Sequence, residues 1–108
     1  MKKIQFNIRD CVGGYDKNLH PKTQLRKCSG YLFGCNKYQF VVHKYEWPSG
    51  YRQEWRVSEF TTGCGITRLV ETRKEAMAVF DKMRKREDFY ELLAAKIADI
   101  IAVYGKAN

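Results

Sequence analysis

The 108-residue chain predicts a single α+β domain spanning 1–108, with an antiparallel sheet of three to five strands followed by two C-terminal helices. Three observations carry that prediction. Residues 3–9 alternate strictly between apolar and polar side chains. Two aromatic-rich runs, 38–47 and 51–60, flank the turn signal Pro48-Ser49-Gly50 and read as a hairpin. From Ala76 onward the apolar period becomes helical. Residues 1–70 are therefore expected to be mainly strands, and residues 71–105 helical.

In the first run Ile4, Phe6 and Ile8 point one way and Lys3, Gln5, Asn7 and Arg9 the other, as in a half-buried strand. Residues 10–29 show little period and contain Gly13-Gly14 and His20-Pro21. They read as one connection of roughly 20 residues, against about 4–6 for an ordinary loop, and so as a functional loop or an insertion. Tyr31-Leu32-Phe33, between Gly30 and Gly34, reads as a further short strand. The strand 38–47 is apolar on both sides, which suits a central position. The strand 51–60 has an apolar side (Tyr51, Trp55, Val57) and a polar, basic side (Arg52, Glu54, Arg56, Ser58). A third strand is expected at 66–70, after Thr61-Thr62-Gly63.

Thr72-Arg73-Lys74-Glu75-Ala76 is a helix start in which Thr72 caps the amide of Glu75 and Glu75 reaches back, a reciprocal capping box. Ala76, Val79, Phe80 and Met83 form its apolar stripe. One unbroken helix over 72–104 would be about 50 Å long, too long for this domain, so a break is expected near 86–88. The last helix runs from about Phe89 to Tyr104, with Gly105 as its stop. Its polar residues Glu91, Lys96 and Asp99 span roughly 140°, leaving about 220° apolar. That arc implies a helix packed on two sides, in the core or in a homodimer.

The net charge is +8, and it is uneven. Residues 1–60 carry 11 Lys/Arg against 5 Asp/Glu, and residues 61–108 carry 9 against 7. Such an excess favours phosphate backbones, acidic protein faces or anionic lipid. No apolar stretch follows Lys2-Lys3, and no run approaches the ~20 residues of a membrane span, so a cytoplasmic protein with reduced cysteines is expected. Cys28 and Cys35 are separated by six residues and no Cys-x-x-Cys occurs, so neither metal nor other cofactor is expected. No phosphate loop, Gly-x-Ser-x-Gly or His-Glu-x-x-His is present, and the spacing of Glu46, Glu54 and Glu59 does not insist on a metal site. The chain is not expected to be an enzyme.

Candidate binding residues follow from the charge. Arg73 and Lys74 oppose the dipole of their helix unless an anion docks on its free amides. Arg52, Arg56 and Ser58 share one side of a strand. Lys17, Lys22, Arg26 and Lys27 lie in the 10–29 segment. Bases could stack on exposed members of Tyr38, Tyr45, Trp47, Tyr51 and Trp55. His43 reads as a paired sheet residue.

Two long strands, a third strand and the Thr-Arg-Lys-Glu-Ala helix start resemble the arm-type DNA-binding domains of phage and transposon integrases. In that family a three-stranded sheet backed by a helix lays its polar face in the major groove. The resemblance covers 38–86. It implies that Arg52, Arg56 and Ser58 face the groove and that Arg73 and Lys74 meet the backbone. Gly63-Cys64-Gly65 and Arg73-Lys74-Glu75-Ala76 also resemble the end of double-stranded-RNA-binding domains, whose helix-start lysines grip phosphates.

The leading expectation is a small non-enzymatic nucleic-acid-binding module, with DNA favoured over RNA. The alternative is a phage or mobile-element inhibitor that binds a host nucleic-acid-handling protein. Size and the lack of catalytic motifs are similar to anti-CRISPR and other small anti-defence proteins.

Overall fold

The strand marked by alternation from Lys3 does not stop at Arg9. In a computed structural model that describes residues 1–47, 50 and 53–108, β1 runs Lys2–Tyr15 and pairs antiparallel with β2, Pro21–Cys35. The register joins Lys3 to Tyr31, Phe6 to Cys28 and Cys11 to Thr23. This corrects the expected 10–29 loop: most of that segment is a two-stranded ribbon. Its turn is tied by Asp16, whose Oδ1 accepts the amides of Asn18 and His20 at 2.8 and 3.0 Å. Solvent reaches the outer ribbon, where Val12, Tyr15, Leu19 and Leu25 are exposed, so no apolar period marks it.

Two shorter strands, β3 (Tyr38–Glu46) and β4 (Gln53–Glu59), complete a meander in the order β1-β2-β3-β4. The segment expected as a third strand at 66–70 is instead irregular, and two isolated bridges, Trp55 with Val70 and Ser58 with Gly65, hold it against β4. The helices are α1 (Arg73–Arg84) and α2 (Phe89–Tyr104), broken as expected between 84 and 89. Thr72 Oγ accepts the Glu75 amide at 3.1 Å, which caps α1. The Glu75 carboxylate meets the Thr72 hydroxyl at 3.2 Å rather than its amide, so the box closes between side chains.

Both sheet faces are buried, by different means. On one face Phe40, Val42 and Val57 pack against Ala76 and Phe80 of α1 and against Phe89 and Leu93 of α2. The Phe80 ring lies 4.7 Å from Phe40 and 5.3 Å from Phe33, centroid to centroid. The opposite face gathers Phe6, Ile8 and Val41, with Leu32 and Phe60 beside them. Here β2 and β3 pack without room for a side chain between them: a Cβ on Gly30 would lie 2.5 Å from Val41 Cγ1.

This second face is closed by the curl of the sheet. The buried Glu59 carboxylate accepts the amides of Thr61 and Thr62 at 2.7 and 2.8 Å and turns the chain back toward β1. There the Arg9 amide donates to Gly63 O at 2.9 Å. The Arg9 side chain donates to Thr62 O, Thr23 Oγ1 and Gly105 O, each at 3.2 Å. Asn108 accepts the Asn7 amide at 2.7 Å. The outer edge of β1 is thereby paired rather than left open.

Phe80→Ala should lower the unfolding free energy by about 3–5 kcal/mol, because the ring sits between sheet and α2 and its cavity cannot collapse. Urea unfolding of the variant measures this, and a wild-type midpoint would contradict the packing. Gly63 has φ 71, and its Cβ would lie 2.6 Å from Asn7 O, whereas Gly13 has φ 85 and open space around it. Gly63→Ala should therefore destabilise by more than Gly13→Ala, which incurs only the left-handed backbone term of about 1–2 kcal/mol.

Candidate nucleic-acid interface

Two of the expected groove-facing residues are not on an open face. Ser58 is fully buried, with its Oγ 2.7 Å from His43 Nε2. Arg56 lies beside it on the same side of β4, stacked 4.7 Å from the Tyr45 ring centroid. The physical reason is register. Val41 pairs with Ser58, and His43 with Arg56, so the polar side of β4 shares the face that the curl closes. Arg52 lies outside the described residues.

The buried cluster is built for order. The His43 imidazole is fully buried, and Nδ1 lies 2.9 Å from the Lys44 carbonyl. A carbonyl can only accept, so Nδ1 carries the proton and Nε2 accepts from Ser58. Burial pushes the imidazole down to about 4 from 6.5, outweighing the Lys44 hydrogen bond. Burial likewise pushes the Arg56 guanidinium down and the Cys28 thiol up. Arg26 stacks on Tyr45 as well, at 5.0 Å, and donates to Asp10 at 2.8 Å. Among the described residues, Arg26 Nη2 and Arg56 Nε are the buried side-chain polar atoms without a partner.

The other cations divide by position. Lys17 lies in the ribbon turn, and Lys22 is exposed just beyond it. Lys27 is exposed farther along β2, while the Asp10 ion pair holds Arg26 back. Lys74 is exposed on the first turn of α1. Arg73 reaches across to the sheet, where its guanidinium sits 4.8 Å from the Tyr31 ring centroid. The first-turn end of α1 also bears the Glu75 carboxylate, which opposes a second anion there.

What the sequence did not reveal is the surface beside Arg73. The two helices cover only part of their sheet face. The rest is a depression of about 450 Å³, lined by Lys3, Lys27, Lys44, Tyr31 and Trp55 among others. These residues come from all four strands. Lys3 pairs with Tyr31, and Lys44 pairs with Trp55. The Lys44 ammonium stands 5.7 Å from the Trp55 ring centroid, a second cation over a ring. Tyr31 and Trp55 each pack against the first core, which fixes them. Among the described residues Glu46 is the one acid in the lining, and Gln5 and Ser29 add polar groups. Three lysines and two anchored rings in one hollow, with Arg73 at its margin on Tyr31, can bind a polyanion that carries planar groups. A sequence signal existed in Lys3, Lys27 and Lys44, each on a strand, but only the register brings them together.

Glu59 ties the 60–63 turn, and Glu54 accepts from Trp47 Nε1 at 3.1 Å. Among the described residues, no three His, Cys, Asp or Glu side chains gather as a metal site. Among the described residues, no helix is long and apolar enough to cross a membrane.

His43 supplies a pH prediction. Its folded value lies below its unfolded value, so between 6.5 and about 4 the unfolded chain binds a proton that the folded chain refuses. Stability is full above this window and should fall on acidification through it, by on the order of 3 kcal/mol. Urea unfolding across the window tests this, and His43→Gln should flatten the loss. An unchanged slope in the variant would assign the acid sensitivity to other groups.

No family model, curated protein or solved structure matches this chain.

Proposed function

We propose that the chain is a small nucleic-acid-binding module that uses the bare part of its helix-covered sheet face. The observation that carries this reading is the hollow itself, in which Lys3, Lys27 and Lys44 from three strands share one depression with Tyr31 and Trp55. Among the described residues none of these lysines forms an ion pair, so their charge is available to phosphates. Arg73 sits at Tyr31 and extends the positive field toward Lys74, which keeps these two residues in the interface. Lys17 and Lys22, on the ribbon, add non-specific attraction. Arg56 and Ser58 act in this reading as supports inside the second core.

The test is binding to labelled DNA and RNA across a range of salt. Replacing Lys3, Lys27 and Lys44 together by alanine should weaken binding and flatten the salt dependence. The log–log slope should fall by about 0.7–0.9 for each phosphate that is no longer neutralised. Arg73→Glu with Lys74→Glu should also weaken binding, without unfolding the chain, because neither residue is buried. Lys17→Ala with Lys22→Ala should have a smaller effect than the triple lysine change. Binding by the triple variant at wild-type strength would overturn the assignment of the hollow.

A second reading, a protein partner or a homodimer, draws on α2. Leu92 is 57% exposed, and it lines an apolar groove of about 210 Å³ together with Ile66, Met83 and Ile100. An inhibitor of a nucleic-acid-handling protein would use such a groove and would not need free nucleic acid. Light scattering at rising concentration reports a homodimer directly, and a monomer that binds no nucleic acid would favour the inhibitor.

A further inference from the structure

We infer that the ligand of this hollow is a single strand whose bases stack on Trp55 and Tyr31, an inference that rests on the binding reading above. The argument is what the floor offers. A duplex keeps its base faces stacked on one another and shows a protein only phosphates and base edges. Two aromatic side chains line the hollow, with Gln5 and Ser29 beside them to meet edges. A strand whose phosphates reach Lys3, Lys27 and Lys44 brings unpaired bases against that floor, because lysines and rings share one depression.

The rings are prepared for this use. Both pack against the first core, so little side-chain freedom is lost when a base arrives. Each already holds a cation over its ring, Lys44 at 5.7 Å on Trp55 and Arg73 at 4.8 Å on Tyr31. Exchanging that cation for a base frees it to pair with the adjoining phosphate, so one move supplies both the stacking and the ion pair. Ring and cation are neighbours by register at Trp55, since Lys44 is its cross-strand partner.

Trp47 and Trp55 are the two tryptophans, and Trp47 lies outside the lining of the hollow. Trp47→Phe therefore leaves Trp55 as a single reporter. The probes are oligo(dT) and oligo(U) strands of about 12 nucleotides and a DNA duplex of the same length, a size chosen to exceed one small binding site. Titrations run at roughly 50 mM salt, where phosphate binding is strong. A strand should bind at least about tenfold more tightly than the duplex and quench Trp55 emission. Trp55→Ala should weaken strand binding by about 5- to 150-fold while leaving the salt slope unchanged, and Trp55→Phe should restore most of it. Tyr31→Ala provides an independent variant should Trp55→Ala fail to fold. Duplex binding as tight as strand binding, or Trp55 emission unmoved at saturation, would overturn the single-strand inference and leave the module reading standing. Absence of binding to every probe would overturn the module reading itself, and this inference with it.

Discussion

The buried carboxylate of Glu59 is the constraint on which the rest of the molecule depends. At 2% exposure it accepts two consecutive amides, and such charge-assisted bonds contribute about 1.5–3 kcal/mol each. They bend the chain so sharply that Gly63 reaches the free edge of β1, a meeting that tolerates no side chain. Arg9 then ties β1, the turn and Gly105 together through three carbonyl or hydroxyl acceptors. A four-stranded sheet with only two helices would otherwise leave one face in water. Closure by the turn buries that face instead, and the polar side chains of β4 go in with it. His43 and Ser58 remain satisfied there because each is the other's partner.

Closure also decides where positive charge can act. With the β4 arginine stacked inside on Tyr45, the lysines that gather in a hollow, Lys3, Lys27 and Lys44, belong to the opposite face, beyond the edge of the helices. Several cations elsewhere are compensated: Arg84 and Lys85 both pair with Asp81, and Arg86 lies 3.8 Å from Asp88. In the hollow Lys44 lies over the Trp55 ring, and among the described residues Lys3, Lys27 and Lys44 form no ion pair. Like charges gathered on neighbouring strands cost tenths of a kcal/mol each, and burial does not repay that at exposed lysines. The arrangement has a physical purpose if an anion completes it.

How much of this could be read from residues alone varies with the kind of signal. The helices were legible to within a residue or two because Thr72, the Ala76–Phe80 stripe and Gly105 are local devices. The β3–β4 hairpin and the central place of β3 followed from aromatic alternation. The ribbon at 10–29 was hidden, because a strand pair with solvent around it needs no apolar period, and Gly13 and Gly14 add an irregularity that reads as loop. Ser58 and Arg56 were misplaced for a different reason. Alternation tells which residues share a side, but not whether that side meets water, and the covering turn comes from Glu59 and Gly63. The hollow was illegible because it is a property of register, joining residues 3, 27, 31, 44 and 55 that no local pattern connects.

The same distinction bears on α2. Its broad apolar arc implied a second packing partner, yet inside the structure only Phe89 and Leu93 are buried. Much of the arc turned to solvent is alanine, at 94, 95, 98 and 102. An alanine methyl left in water forfeits far less than a leucine does, about 0.8 kcal/mol per carbon buried. The demand for a partner therefore rests on Leu92 and Val103 and on the groove beside Ile100, not on the arc as a whole. Scattered apolar side chains of that number are ordinary on a monomer. Alanine serves α2 through helix propensity, which a helix packed on one side needs more than one packed on two. The width of an apolar arc thus overstates its driving force whenever alanine supplies the width.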